Sequence, residues 1–436
     1  MKRSLSIILS FAFLLTASQN SHAQFWKRKS KQKKQNTVIR QEERLPAEVR
    51  SEDSTETFDL FRKKRVLPDF PLTEKKEVYR VDVLLPLNLS KVVVNGRAVS
   101  HKIMPESTVQ SVSFYEGILI AGDSMAKHNF KLDLHVHDIS DPGNSVYFLL
   151  RQKKLEGTDL IIGLLQSRDI PSVAGYAKSH KVNFLSALSP SDAGLKDNPY
   201  FIIVQPTLRT HVQKILEFAD RKYKRNPKFL LYRDSSYADD AYNMVKEEFK
   251  KSKTFTTLKC NNDEDFKAIQ SQFSTDEVNV IYCTILDTRL AYSLLKKLSG
   301  MGPEYKFEVF GMPSWKVLPD LEVQQAYPNL SIYYTSPFYY DLNTGPGADF
   351  LKKYKQYDAA HPGEFAFRGY ELMYWMCHLL EQYGVVFNEH FNDISNTLFT
   401  RYDIQPEWND HNELLYFENK KLHILQFENG SMRILD

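Results

Sequence analysis

Residues 159–204 read DLIIGLLQSRDIPSVAGYAKSHKVNFLSALSPSDAGLKDNPYFIIV. Leu160, Ile161 and Ile162 form a short unbroken apolar run that stops at Gly163, the pattern of a strand buried on both faces. Asp169 is a helix-capping residue type, and Pro171 is tolerated in the first turn, where the amide it removes has no intrahelical partner. The helix runs to about His180, and a second apolar strand, Val182 to Ser186, follows at once. Strand, helix and strand on short connections make a βαβ unit, which requires parallel strands. Both strands finish in small polar residues, Gln166-Ser167 after the first and Ser189-Pro190-Ser191 after the second. In open α/β sheets, ligands sit beyond the carboxyl ends of the strands, where free amides and hydroxyls can bond them. The two loops are therefore expected side by side at one sheet edge.

The chain outside this unit is long enough for more than one core. At 436 residues, two lobes are the expectation. Hydrophobic content of 42% and charged content of 25% are ordinary for a globular protein, and a formal charge of +3 gives no argument for nucleic acid. The three cysteines, Cys260, Cys283 and Cys377, lie far apart with no CxxC or Cys/His spacing, so neither a zinc site nor a disulfide framework is expected.

The N-terminus carries an export pattern. Lys2 and Arg3 precede an apolar run from Leu5 to Leu15, too short to span a bilayer, and Ser21-His22-Ala23 places small residues where a signal peptidase needs them. Cleavage after Ala23 is expected, with no lipobox cysteine near it and a periplasmic destination. From Gln24 to about Glu77, charged residues are dense and apolar ones sparse, which reads as a disordered or loosely attached leader. Its opening cluster, Lys27, Arg28, Lys29, Lys31, Lys33 and Lys34, suits either a solvated tether or contact with an anionic lipid or wall polymer.

The folded part opens at Tyr79 with a strand through Leu85, ending in Pro86-Leu87. A connection of about twenty residues, Asn88 to Glu106, contains the turn signal Asn95-Gly96. A helix with Phe114, Ile118, Ala121 and Met125 on one face follows, then a strand with Leu132, Leu134 and Val136. After Pro206 a second alternation begins: helix 212–223, strand 229–232, helix 238–251, strand 278–282, helix 288–298, strand 307–310 and strand 331–335. Helices over 348–357 and 367–382 come next, the latter closed by Gly384, then a shorter helical piece near Leu398. Residues 414–435 alternate like a β-hairpin around Asn429-Gly430.

The order and spacing of Ile162-Gly163 to Ser167, Ser189-Pro190-Ser191, Asn198-Pro199-Tyr200, Tyr232-Arg233-Asp234 to Tyr237, Gly311 to Trp315 and Gly369-Tyr370-Glu371 resemble the type I periplasmic binding proteins, in particular the leucine/isoleucine/valine-binding branch that serves ABC importers. The resemblance covers about 79–435. It implies an α/β fold of two doubly wound, Rossmann-like lobes joined by three hinge crossovers, the disordered leader lying outside them. Lobe I would take 78–206 plus 338–405, lobe II 207–337 plus 406–436, and closure over a ligand in the cleft is a hinge motion. By position, Ser167, Ser189 and Ser191 match residues that bind an amino acid's carboxylate, and Tyr237 matches the aromatic that covers the ligand. No catalytic role and no cofactor are implied.

Two departures stand against a plain amino-acid binder. The branch sets carboxylates against the ligand's ammonium after the first crossover and after the Gly311 strand, but Thr207-Leu208-Arg209-Thr210-His211 and Gly311-Met312-Pro313-Ser314-Trp315 contain no acid. The Asn88–Glu106 segment also replaces a short turn.

Several residues carry two readings. His135-x-His137 with Asp138 has the spacing of strand-borne metal ligands, yet a plain strand end is favoured and no metal is expected. Arg209 with His211 either binds an acidic ligand or sits on a solvated hinge helix. Trp315 and Tyr237 either stack on a ligand or pack. Gly345-Pro346-Gly347 lacks the lysine and spacing of a phosphate loop and reads as a turn. With no Gly-x-Ser-x-Gly and no HExxH, an enzyme is not expected. Two functions remain. One is a periplasmic solute-binding protein capturing a small polar, carboxylate-bearing, amino-acid-like ligand in an interlobe cleft for an ABC-type importer. The other is a non-transport envelope interaction or sensor module on the same fold, its ligand cleft degenerate and the chain tethered by the basic leader.

Overall fold

The computed structural model describes residues 65–98, 104–234, 238–249, 255–340, 342, 345–357, 361–393 and 398–435. The export signal, the cationic cluster and Tyr237 lie outside the described residues. The strands, in chain order, are β1 (Tyr79–Leu85), β2 (Val93–Val94), β3 (Arg97–Ala98), β4 (Leu132–Asp138), β5 (Leu160–Gly163), β6 (Asn183–Ser186), β7 (Phe201–Ile203) and β8 (Lys228–Tyr232). They continue as β9 (Thr256–Lys259), β10 (Asn279–Cys283), β11 (Phe307–Phe310), β12 (Leu330–Ser336), β13 (Ile404–Trp408), β14 (Leu414–Asn419), β15 (His423–Glu428) and β16 (Ser431–Leu435).

The chain divides into two units, 1–205 with 340–419, and 206–339 with 420–436. It passes between them three times. The first sheet runs β13-β14-β7-β6-β5-β1-β4. Its strands β4, β1, β5, β6 and β7 are parallel, because helices and loops long enough for right-handed crossovers separate them. Numbered among themselves, these strands have the order 2-1-3-4-5, so the winding direction reverses between β1 and β5. The loops leaving those two strands flank a topological switch point, the place where such sheets hold ligands. The second sheet, β16-β15-β12-β11-β10-β8-β9, repeats the pattern with its switch between β8 and β10.

The core of the first unit stacks Ile161, Phe184, Phe201 and Ile203 against Val173, Ala174 and Ala177 of helix Ile170–His180. On another side, helices Glu106–Ala126 and Glu364–Tyr383 cross at two glycines. A Cβ on Gly369 would lie 2.0 Å from the Phe114 carbonyl oxygen, and one on Gly117 2.1 Å from that of Ala366. Only glycine permits backbones that close. In the second unit Phe229, Ile281, Val309 and Ile332 alternate with Leu230, Val280, Tyr282, Phe310 and Tyr333, so each sheet face buries its own cluster.

Five expectations are corrected. The stretch 65–77, assigned to the leader, lies along the first unit. Phe70 meets Tyr200 edge-on, the Glu74 carbonyl accepts the Val385 amide at 3.0 Å, and Lys76 pairs with Asp159 at 2.7 Å. The third crossover follows Asn419 and not the region around 405, because β14 pairs parallel to β7 (Phe417↔Ile202) and β13 returns antiparallel to it. Only β15 and β16 form the hairpin around Asn429-Gly430. Gly345-Pro346-Gly347 opens helix Gly345–Tyr357, as a proline in a first turn can. Residues 398–403 are not helical. No expectation covered β9, β13, the short helix Leu89–Val92 or helix Asp263–Gln270, the last capped by Asn262 on the Asp265 amide.

Candidate functional site

The switch point of the first unit is built from short loops with little freedom. β5 and β6 are adjacent and in register, Gly163 opposite Ser186, so the residues that follow them leave the same sheet edge. Ser167 and Ser189 meet there, their hydroxyl oxygens 3.0 Å apart. Ser189 is buried and also accepts the Ser191 amide at 3.3 Å, while Ser167 is exposed. The Ser191 hydroxyl accepts the Ala193 amide at 3.0 Å. Asp192 ties the loop down, accepting the Gly194 amide at 2.9 Å and the Tyr416 hydroxyl at 3.2 Å.

Proton counting says what this edge can bind. Each hydroxyl carries one donor, and one proton lies between Ser167 and Ser189 whichever way it points. One O–H of the pair therefore remains to point outward, and the Ser191 proton makes a second. Helix Ile170–His180 begins next to Ser167, and its first amides have no intrahelical acceptor. Asp169 makes no side-chain cap bond to them, contrary to the reading of its type. Convergent hydroxyls and a helix N-terminus favour an anionic oxygen.

Arg368 was missed by the sequence reading. It stands on helix Glu364–Tyr383, is 6% exposed, and donates through Nη2 to the Ala187 carbonyl and, at 3.4 Å, to Gln205 Oε1. Its Nη1 lies 3.6 Å from Glu364 one turn back, and the guanidinium covers the Phe365 ring at 4.7 Å. It thereby fixes the root of the serine loop two residues before Ser189. A lone arginine within a run of buried positions on an apolar helix was the available signal. One turn along, Glu371 is fully buried and accepts the Phe399 and Thr400 amides at 2.7 and 2.5 Å; burial pushes its carboxyl up to about 7.

The loop after β1, the other flank of the switch point, is organised by Asp138 at the end of β4. Its carboxylate accepts the amides of Leu87 (3.0 Å), Asn88 (3.2 Å), Leu89 (2.8 Å) and Ser140 (3.0 Å). Asn88, at φ 53°, turns the chain and donates to Thr108 at 3.0 Å. The long insertion thus leaves the sheet along a defined path through a short helix, Leu89–Val92, and the β2–β3 hairpin. The neighbouring histidines are used separately: His137 bonds Asp82 at 2.7 Å, His135 bonds Asp133 at 2.9 Å. Among the described residues no group of three or more metal-ligating side chains gathers.

In the second unit, Arg209 is exposed in the first turn of helix Leu208–Lys222, 3.5 Å from Glu247. His211 is not on a solvated face. It is buried, shares a 2.7 Å hydrogen bond with Thr335, and is pushed down to about 3 by burial, so it is neutral and adds no charge for an acidic ligand. Trp315 is also corrected. It has no exposed surface, donates its indole N–H to the Ile285 carbonyl at 2.9 Å, and fills space that only Gly311 leaves open, a Cβ there lying 2.1 Å from its ring. Trp315 is a packing residue.

Comparison with known proteins agrees with this architecture. The family model described as periplasmic binding protein matches residues 149–393. Among solved structures, a Rhodospirillum rubrum protein assigned to a branched-chain amino acid ABC transporter superposes with a TM-score of 0.60 at 12% identity, covering 82% of this chain and 100% of its own. A branched-chain amino acid ABC transporter periplasmic ligand-binding protein of Burkholderia xenovorans gives 0.56 at 12%, over 82% and 94%. An ABC transporter substrate-binding protein of Desulfitobacterium hafniense, in complex with Leu, gives 0.53 at 14%, over 82% and 100%. No curated protein sequence matches the chain. Among the described residues no helix is long and apolar enough to cross a membrane.

Proposed function

The chain belongs to the periplasmic binding protein family, and from that premise we propose that it captures a small carboxylate-bearing solute for an ABC-type importer. The observation that carries this reading is the Ser167–Ser189 pair at the switch point, with Ser191 beside it and Arg368 at the root of its loop. A carboxylate there takes two hydroxyl protons and the field of a helix N-terminus. Tyr237, by the family resemblance, and Arg209 are proposed as further ligand contacts. Residues 207–211 and 311–315 contain no acid, so a free ammonium would find no counter-charge from them; burying one unpaired costs several kcal/mol. The ligand is accordingly placed among carboxylates that lack a free ammonium. Export with cleavage after Ala23 completes the proposal.

The test is thermal unfolding of the mature chain, freed of carried ligand by refolding, against monocarboxylates, dicarboxylates, amino acids and wall fragments. A ligand at about 100 times its Kd adds roughly 2.7 kcal/mol. A saturable rise with carboxylates and none with their amides supports the reading. A flat panel overturns it in favour of an envelope interaction module, for which the missing acids are the specific observation.

A further inference from the structure

A cavity of about 260 Å³ lies in the first unit, away from the serine edge, where helices Glu106–Ala126, Gly345–Tyr357 and Glu364–Tyr383 meet. Its walls are Phe350, Tyr374 and Leu398, and its polar end is Lys353. The Lys353 ammonium donates to the Tyr370 hydroxyl at 2.9 Å and to Ser124 Oγ at 3.4 Å, and stands 5.4 Å from the centre of the Tyr370 ring. Ser124 spends its own proton on the Ile120 carbonyl at 2.8 Å, so it acts toward Lys353 as an acceptor. Both acceptors are neutral. Among the described residues no carboxylate forms an ion pair with Lys353, although Asp349 lines the same cavity one turn away. Lys127 and His128 lie at its exposed rim.

An ammonium has three donors, and two are used by neutral oxygens. The third donor and the full charge remain to be matched beside a small space lined by polar and apolar groups alike. Burial of a charge without a counter-charge is unfavourable, and an anion entering the cavity relieves it. A volume just below the usual range for ligand pockets limits the guest to a small molecule. One half-buried cation, a wall only partly apolar and the Asp349 carboxylate on the same lining suit a monoanion with an apolar body better than a dianion such as phosphate.

We infer that this cavity is a second binding site, independent of the serine edge, for a small organic carboxylate with an apolar body. The carboxylate takes the third donor of Lys353, and the body lies against Phe350, Tyr374 and Leu398. Nothing in the proposed solute capture requires it.

Calorimetric titration of phenylacetate into the mature chain tests the site, with inorganic phosphate as the control anion. Wild type is expected to bind phenylacetate, to bind phosphate more weakly, and to lose about tenfold in affinity on Lys353→Gln, the loss of one charged contact. Because the serine edge itself takes carboxylates, each titration is repeated with Ser167→Ala and Ser189→Ala in place; a phenylacetate site that persists there and still weakens on Lys353→Gln is separate from the solute reading. Should Lys353→Gln fail to fold, the surface variant Lys127→Gln decides, with an expected loss of about threefold as one rim charge is removed. Absence of phenylacetate binding at about 10 mM, affinity undiminished in the lysine variants, or disappearance of the lysine-dependent binding when both serines are replaced overturns the inference.

Discussion

Ser167 and Ser189 are 22 residues apart in sequence, and their hydroxyl oxygens are 3.0 Å apart in the fold. The pair exists because β5 and β6 run parallel and in register, so their following loops are set down together. If this edge holds the solute's carboxylate, Ser167→Ala with Ser189→Ala weakens capture by about 1–3 kcal/mol per charge-assisted bond lost. Calorimetry with the carboxylate found by the thermal panel checks it. Affinity unchanged in the double variant would remove the serines from the site.

Arg368 is expected to act on the same edge indirectly. Arg368→Lys keeps the charge but cannot hold the Ala187 carbonyl and the Gln205 side chain from one planar group. Loss of affinity should appear with little change in unfolding midpoint, and amide exchange in residues 187–194 should accelerate. Exchange at the wild-type rate would mean that the loop holds its own shape.

Gly369→Ala places a methyl 2.0 Å from the Phe114 carbonyl oxygen, and the nearest atoms are backbone. The two helices must separate, so destabilisation of about 3 kcal/mol or more is expected, at the upper end for overpacked cores. Denaturant titration measures it.

Two buried groups give opposite pH dependences. Glu371 has its folded value raised to about 7 by burial, so the folded state holds a proton that the unfolded state releases from about pH 4.5 upward. Its contribution is complete at low pH and is lost as pH rises through about 7. Relative to wild type, Glu371→Gln should therefore gain stability between about pH 5 and pH 8. His211, pushed down to about 3, contributes above its unfolded value near 6.5 and loses that contribution as pH falls toward 3. Denaturation midpoints of the variant and wild type across this range check the first sign; a constant difference would exclude it.

The segment before β1 is expected to matter for stability. Thr73 donates to the Tyr383 carbonyl at 2.5 Å and accepts the Val386 amide at 3.1 Å, closing the end of helix Glu364–Tyr383. Thr73→Val should cost about 1–2 kcal/mol by leaving both groups without that partner. An unchanged midpoint would show that water replaces the hydroxyl there.

Sequence alone determined the alternation of strands and helices, the parallel βαβ unit, the two-unit organisation and the small polar residues at the strand ends. These are local patterns: unbroken apolar runs, 3.6-residue spacing, a proline after an aspartate, a glycine at a helix end. The family resemblance rested on the same ordered pieces. Only the tertiary structure decided which edge each late strand joins. Residues 414–419 read with the terminal hairpin in sequence, and their membership follows from pairing with β7, more than 200 residues earlier. It also decided that Trp315 turns inward over Gly311, that His211 is buried neutral, and that residues 65–77 lie along the first unit. Arg368 and Lys353 acquired their surroundings in the same way, from a loop and a helix distant in sequence. Periodicity records which face of an element avoids water, whereas the partner that covers that face is chosen by packing across the whole chain.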